Sequence, residues 1–145
     1  MTVLLKYAYK PGAVVDSEST VQQAVEAMSK DKVGAAAIVD EGILAGIFTE
    51  RDLMFKVVLP GKDPRKTKVS EVCTRNLITI TEGSTREDAL RLMVDKHVRH
   101  LPIVDNGRQM KGMISVRHLL QWQVEALTHE LESMEAYMTA DGPGG

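Results

Sequence analysis

A hydroxyl, a cation and two carboxylates follow an apolar stretch in the segment GIFTERD, residues 46–52. Thr49 in this position is typical of a helix N-cap, whose side-chain oxygen accepts a hydrogen bond from an early backbone amide. The free N–H groups of a helix start also favour anions. Asp52, one turn further, either stabilises the helix start or binds a vicinal diol, because a carboxylate accepts two hydroxyl protons. The spacing alone favours capping.

A similar motif occurs later in the chain as GMISVRHLL, residues 112–120, with Ser115 at the hydroxyl position and His118 at the position of Asp52. Sliding the chain by 65 residues aligns further positions, and one inserted residue changes the offset to 66. The aligned pairs include Ser19 with Ser84, Ala24 with Ala89, Met28 with Met93, Ile38-Val39-Asp40 with Ile103-Val104-Asp105, Gly46 with Gly112, and Arg51 with Arg117. Matches spread this widely indicate a tandem repeat.

Each repeat reads as β-α-β-β-α, so we expect a mixed α/β (α+β) fold. Extended segments at 13–15 and 78–80 precede helices with capping-box patterns, Ser19-x-x-Gln22 and Ser84-x-x-Glu87. Two short apolar strands around a glycine turn follow, and the second helix begins directly after Thr49 or Ser115. A unit of about 45 to 50 residues buries too little surface to be stable alone. Two packed copies would share a core and form a pseudo-twofold crevice suited to a small ligand.

The predicted boundaries follow from this repeat. They are an N-terminal extension at 1–12, the first repeat at 13–59, a surface linker at 60–73, the second repeat at 74–122, a C-terminal helix at 123–140 and a flexible tail at 141–145. The last helix has apolar residues at alternating steps of four and three: Leu120, Val124, Leu127, Leu131, Met134 and Met138. This heptad seam either contributes to a dimer or folds back on its own repeat. We expect it to add to a homodimer already made by the repeats.

The composition is that of an ordinary globular protein, with 43% hydrophobic residues and a net charge of −2. A basic face for nucleic acid is not indicated, and no apolar run reaches the roughly 18 residues of a membrane helix. The single cysteine, Cys73, rules out an intramolecular disulfide and is typical of a reducing compartment. The N-terminal residues lack the layout of a signal peptide. We therefore expect a cytoplasmic protein without nucleic-acid or membrane partners.

GIFTERDL in the first copy and VRHLPIVDNGRQMKGMIS in the second, together with the duplication, resemble a tandem pair of CBS (cystathionine-β-synthase) domains, also called a Bateman module. The resemblance covers about residues 10 to 122. It implies a nucleotide-sensing function in which Asp52 binds the ribose of an adenine nucleotide and Thr49 lies near the phosphate. Arg51 belongs to the same motif and is included among the expected binding residues.

The resemblance also implies that the other copy flanks the base and the phosphate. The corresponding positions are Thr74, Ile78, Thr79, Val98, Arg99 and His100. Arg99 and His100 suit a phosphate because charge-assisted hydrogen bonds are the stronger class. Without the resemblance, these two residues would be interpreted as a solvated loop pair.

The second crevice is expected to be degenerate. His118 cannot reproduce the two acceptors of a carboxylate, and Gly34 and Ala35 bring no charge to the phosphate position. A metal site from His97, His100 and His118 is the alternative use of the histidines, but no carboxylate or cysteine stands at ligand spacing. No catalytic triad, phosphate-binding loop or dinucleotide fingerprint is present, so we expect no enzyme.

We therefore predict a regulatory module that binds AMP, ADP or ATP, or less favourably S-adenosylmethionine, and controls an unidentified partner protein. The ligand would act by shifting the population of two conformations. The alternative is a non-catalytic oligomerisation or scaffold module whose nucleotide crevice is vestigial.

Overall fold

The computed structural model describes residues 12–140, with no description of the side chains of residues 139 and 140. The predicted tail at 141–145 and all but the last residue of the predicted N-terminal extension lie outside these residues.

Both repeats fold as a three-stranded sheet with flanking helices. The first contains β1 (Ala13–Val15), α1 (Val21–Asp31), β2 (Ala35–Asp40), β3 (Ile43–Thr49) and the short α2 (Glu50–Asp52), which continues as a π-helix (Leu53–Val58). A connecting helix α3 (Val69–Val72) leads to β4 (Ile80–Thr81), α4 (Arg86–Lys96), β5 (His100–Val104), β6 (Met110–Ser115) and α5 (Val116–Ala140). In each sheet the first strand pairs in parallel with the second, which pairs antiparallel with the third. The predicted α+β fold and the long C-terminal helix are confirmed.

The N-caps of α1 and α4 lie one residue later than the sequence pattern predicts. The Thr20 hydroxyl accepts from the backbone N–H of Gln23, whose side chain accepts from Thr20 in return. Thr85 and Asp88 form the same box before α4. Thr20 is the last extended residue and bridges to Lys68, so it, and not the preceding serine, occupies the N-cap.

The connection between the repeats is only partly a surface loop. Residues 60–63, 65 and 66 are exposed, but Val69 and Val72 of α3 are buried in the core of the first repeat. The first strand of the second repeat also differs, because it comprises Ile80 and Thr81 and not residues 78–80. Apolar residues of the predicted linker therefore belong to the packed structure.

One of the three hydrophobic clusters contains residues of both repeats. Ala35, Ala37, Leu44 and Ile47 of the first sheet pack there with Val104 and Met113 of the second. Isolated backbone bridges between Ile47 and Thr74 and between Ile43 and Gln109 tie the repeats together. The shared core predicted from the size of one repeat is present.

Only the first two turns of α5 pack on the repeats. Leu119 is buried and Trp122 is partly buried, whereas every residue from 123 to 138 is exposed. Of the two alternatives for this helix, folding back on its own repeat does not hold for these residues. The heptad seam faces solvent, and its expected contribution to a dimer stays a prediction.

Candidate functional site

The two repeats enclose a first cavity of about 680 Å³, within the size range of small-ligand sites. Seven of the nine residues predicted to bind nucleotide line it, and they come from both repeats. These residues are Thr49, Arg51, Thr74, Ile78, Val98, Arg99 and His100. Thr79 and Asp52 are not among the described residues that line it. The structure thus brings the two halves of the predicted site to one crevice.

Asp52 lies directly beside that cavity but is only 5% exposed. Its Oδ2 accepts hydrogen bonds from the backbone N–H of Thr49 at 3.0 Å and from the Thr49 hydroxyl at 3.2 Å. The Thr74 hydroxyl lies 3.1 Å from Oδ1 and 3.2 Å from Oδ2. Since Thr49 and Thr74 both line the cavity, the carboxylate is one side chain away from it.

A single ion pair completes the surroundings of Asp52. The Nζ atom of Lys56, one helical turn later, lies 2.9 Å from Oδ1. The lysine side chain is 45% exposed, whereas that of the aspartate is almost fully buried. In this state the Asp52 carboxylate therefore caps the helix and holds a cation at the same time.

The local sequence explains how these groups meet. Thr49 is extended and caps α2, since its hydroxyl accepts from the Asp52 backbone N–H at 3.2 Å. Thr74 is held beside β3 by two backbone hydrogen bonds with Ile47, of 2.8 and 3.0 Å. Gly46 permits this approach, because a Cβ there would lie 3.0 Å from Cys73 Sγ and 3.2 Å from the carbonyl oxygen of Thr74. Gly46 of the repeated motif thus leaves room for Thr74 beside β3.

The side of the cavity formed by Arg99 and His100 carries less charge than the sequence indicated. Arg99 is exposed, but His100 is partly buried at the start of β5, and this burial is the main cause that lowers its pKa. Glu50 raises the pKa of His100, while Arg99 and His118 lower it further. His100 is therefore mainly neutral near pH 7, and Arg99 supplies the fixed charge.

A second cavity of about 640 Å³ lies at the equivalent junction. The hydroxyl of Ser115 accepts from the backbone N–H of His118 at 3.3 Å and lies 3.1 Å from its Nδ1. The His118 ring stacks on Trp122, with ring centroids 6.4 Å apart. Lys32 and Arg117 also line this cavity. This cavity therefore contains cationic side chains, although the uncharged Gly34 and Ala35 had suggested that it would have none.

Four residues line both cavities: Gly34, Glu50, Arg99 and His100. Sequence reasoning did not select Glu50, although it stands inside the TERD motif. Its carboxylate fills the space beside Gly34, where a Cβ would lie 2.0 Å from Glu50 Oε1. Gly34 aligns with Arg99 of the other repeat. A glycine in place of a large side chain was the signal in the sequence that a neighbouring side chain, here Glu50, occupies this space.

The sequence model of the CBS domain family matches residues 9–59 and 69–125, one match for each repeat. The chain belongs to the CBS domain family.

Individual relatives agree with this assignment. The mitochondrial CBS domain-containing protein CBSX3 of Arabidopsis thaliana is 36% identical over 128 residues, which span 84% of this chain and 61% of the relative. The CBS domain-containing protein YhcV of Bacillus subtilis is 35% identical over 107 residues, covering 74% and 75% of the two chains. The chain thus spans less than two thirds of the Arabidopsis relative.

Among solved structures, the CBS domain pair of protein MJ0100 has a TM-score of 0.78 and 25% identity, over 87% of this chain and 99% of that one. That pair was solved in complex with 5′-methylthioadenosine and S-adenosyl-L-methionine. Both molecules carry an adenosine group.

Within residues 12–140, no group of three or more His, Cys, Asp and Glu side chains is placed to hold a metal ion. None of the helices in the described part of the chain has the length and apolar character needed to cross a membrane.

Proposed function

We propose that this CBS pair is a regulatory module that binds an adenine nucleotide in the first cavity and controls a partner protein. The observation that carries the proposal is the junction itself, where the Thr49–Asp52 cap of one repeat faces Arg99 and His100 of the other. A ligand that contacts both repeats favours one relative setting of them over another. Differential affinity for the two settings then shifts their populations.

The proposed contacts follow the chemistry of the cavity. Asp52 accepts hydrogen bonds from the ribose diol, and the phosphate lies against Thr49, Arg51, Arg99 and His100. The base packs among the remaining predicted residues that line the cavity, Thr74, Ile78 and Val98. Thr79 is given no contact, because it is not among the described residues that line the cavity. AMP, ADP or ATP is preferred over S-adenosylmethionine, because Arg99 and Arg51 favour a phosphate over an uncharged or cationic group. The adenosine groups bound by the MJ0100 pair support this ligand class.

Thermal unfolding with AMP, ADP, ATP, S-adenosylmethionine and GTP tests the proposal. A ligand at about 100 times its Kd stabilises a protein by about 2.7 kcal/mol, which corresponds to roughly 5 to 10 °C in Tm for a chain of this size. We expect such a shift with at least one adenosine compound and none with GTP. A folded sample that responds to none of the adenosine compounds would contradict the proposal.

We also propose a homodimer that forms through the repeats. Four neighbouring apolar side chains in and after the π-helix are more than half exposed: Met54, Phe55, Val58 and Leu59. The solvent-facing seam of α5 extends the apolar surface available to a second copy. Val58→Glu should convert a dimer to a monomer in sedimentation experiments, whereas Lys62→Glu, a charge change just beyond the π-helix, should leave the dimer intact.

These exposed faces favour one alternative function, that of a non-catalytic scaffold with a vestigial crevice. It predicts a dimer that binds no nucleotide, so the two measurements above separate it from the sensor. Incubation with ATP followed by product analysis tests our expectation that the chain is not an enzyme. The cytoplasmic location stays a prediction, and fractionation of cells that produce the protein would test it.

A further inference from the structure

The Asp52 carboxylate is already fully engaged. Oδ2 accepts from the backbone and hydroxyl of Thr49, Thr74 lies within reach of both oxygens, and Lys56 lies 2.9 Å from Oδ1. A carboxylate offers about four acceptor positions. A ribose diol brings two further donors, so it binds only if existing partners leave.

The partners of Asp52 differ in how readily they leave. The Thr49 N–H is fixed in the backbone at the N-cap, and giving up its bond would open the helix start. The Thr74 hydroxyl rotates about one bond and also has an acceptor lone pair to offer. Lys56 has a flexible, half-exposed side chain whose ammonium group can return to water. The lysine is thus the exchangeable partner.

We infer that Lys56 competes with the ligand's ribose for Asp52 Oδ1 and thereby lowers the affinity of the site for molecules that carry a vicinal diol. The inference rests on the proposed function, which it deepens by assigning a residue that limits affinity. The Lys56 ammonium lies against the carboxylate that is proposed to bind the ribose, whereas the proposed phosphate contacts, Thr49, Arg51, Arg99 and His100, line the cavity.

The sign of the effect makes the inference testable. Removing a lysine near an anionic ligand ordinarily weakens binding, through loss of general attraction. Competition predicts the opposite. Lys56→Met keeps the length of the side chain and removes the charge, and we expect it to tighten AMP binding about fivefold, as for an ion pair of about 1 kcal/mol. Lys62→Met is the matched control, because it makes the same charge change outside the contacts of Asp52.

The analogue 2′,3′-dideoxy-AMP provides the second arm, since it lacks the hydroxyl groups that would replace the ammonium. Isothermal titration of wild type, Lys56→Met, Lys56→Arg and Lys62→Met with both nucleotides is the experiment. The increase in affinity should appear only for Lys56→Met with AMP, and Lys56→Arg should bind with the affinity of the wild type. A change of helix stability would affect both nucleotides alike, so this contrast isolates the diol.

Each outcome decides. Equal or weaker AMP binding by Lys56→Met, with a wild type that binds, overturns the competition and leaves the proposed function standing. An equal gain with the dideoxy analogue also overturns it. Binding by Lys56→Met alone, with no detectable binding by the wild type, supports it in its strongest form. If neither the wild type nor any variant binds AMP, ADP, ATP or S-adenosylmethionine in a folded state, both the inference and the proposed function are wrong.

Discussion

The two junctions between the repeats share the same helix cap and differ in the side chain that follows it. At the first, the Asp52 backbone N–H donates to the Thr49 hydroxyl at 3.2 Å; at the second, the His118 N–H donates to the Ser115 hydroxyl at 3.3 Å. The cap is common to both because a helix start needs its amides satisfied. The side chain three residues later is not required for that bond. Both repeats therefore keep the same helix cap, whereas the side chain three residues after it differs between them.

The junctions differ in the side chain that follows the cap, a carboxylate at Asp52 and an imidazole at His118, and not in the supply of cations. Arg99 and His100 line both cavities, and Lys32 and Arg117 add to the second. An anion therefore finds positive charge at either junction. If a nucleotide binds at the first junction as proposed, its selectivity for that junction is expected to depend on Asp52, whose carboxylate has no equivalent in His118.

The largest effect is expected from Asp52→Ala. Hydrogen bonds to a charged group contribute about 1.5–3 kcal/mol each, so losing two should weaken AMP binding at least 100-fold. Titration calorimetry measures this. The variant also loses a capping box, which costs about 1 kcal/mol of stability, so Asp52→Asn serves as the better-folded comparison.

His118→Ala is the control for the first junction, because it removes the equivalent side chain at the second. We expect nearly unchanged AMP binding. The reverse pattern, with binding lost in His118→Ala and kept in Asp52→Ala, would show that the nucleotide occupies the second cavity.

Arg99→Ala should have the next largest effect. Loss of a charge-assisted bond to phosphate weakens AMP binding by about tenfold or more. Adenosine, which has no phosphate, should bind the variant and the wild type equally in a competition assay. Arg117→Ala is the matched control at the second cavity. A similar loss for adenosine would place Arg99 beside the base and contradict its assigned contact.

His118→Asp tests whether the missing carboxylate is what separates the junctions. The change places an aspartate three residues after the Ser115 cap, as in the first repeat, in a cavity of about 640 Å³. We expect the calorimetric stoichiometry for AMP to rise from one to two per chain, with weaker affinity at the new site. A stoichiometry that stays at one would mean that the Trp122 ring, which stacks on His118 in the wild type, or the wall shared by the cavities also limits binding.

The fold could be predicted from the sequence because the repeat supplies the β-α-β-β-α order twice. The Thr49 cap followed from the motif, whereas the convergence of Thr49, Arg99 and His100 followed from the resemblance to CBS domain pairs. The π-helical turn, the Lys56–Asp52 ion pair and the sharing of Glu50 by both cavities could not be predicted. They depend on helix winding and on how two sheets meet, and hydrophobic periodicity reports neither. Val69 and Val72 were assigned to the linker because nearby prolines and a glycine outweighed two isolated valines.

The smallest effect concerns His100 and depends on pH. Burial holds its folded pKa below the unfolded value of about 6.5. Its contribution to stability is therefore present above the unfolded pKa and is lost as pH falls towards the folded pKa, by about 1.4 kcal/mol for each unit of difference. Thermal unfolding of His100→Gln should show a shallower loss of stability between pH 8 and 5.5 than the wild type.

A bound phosphate reverses this preference, because an adjacent anion raises the pKa of His100 against the burial and the neighbouring Arg99 and His118 that lower it. AMP binding at pH 7 should therefore take up a fraction of a proton, detectable as a binding enthalpy that depends on the ionisation enthalpy of the buffer. Proton uptake should disappear in His100→Gln and persist in His118→Gln. If it disappears only in His118→Gln, the phosphate lies nearer the second junction than the first, and Asp52 and Arg99 do not act on one ligand.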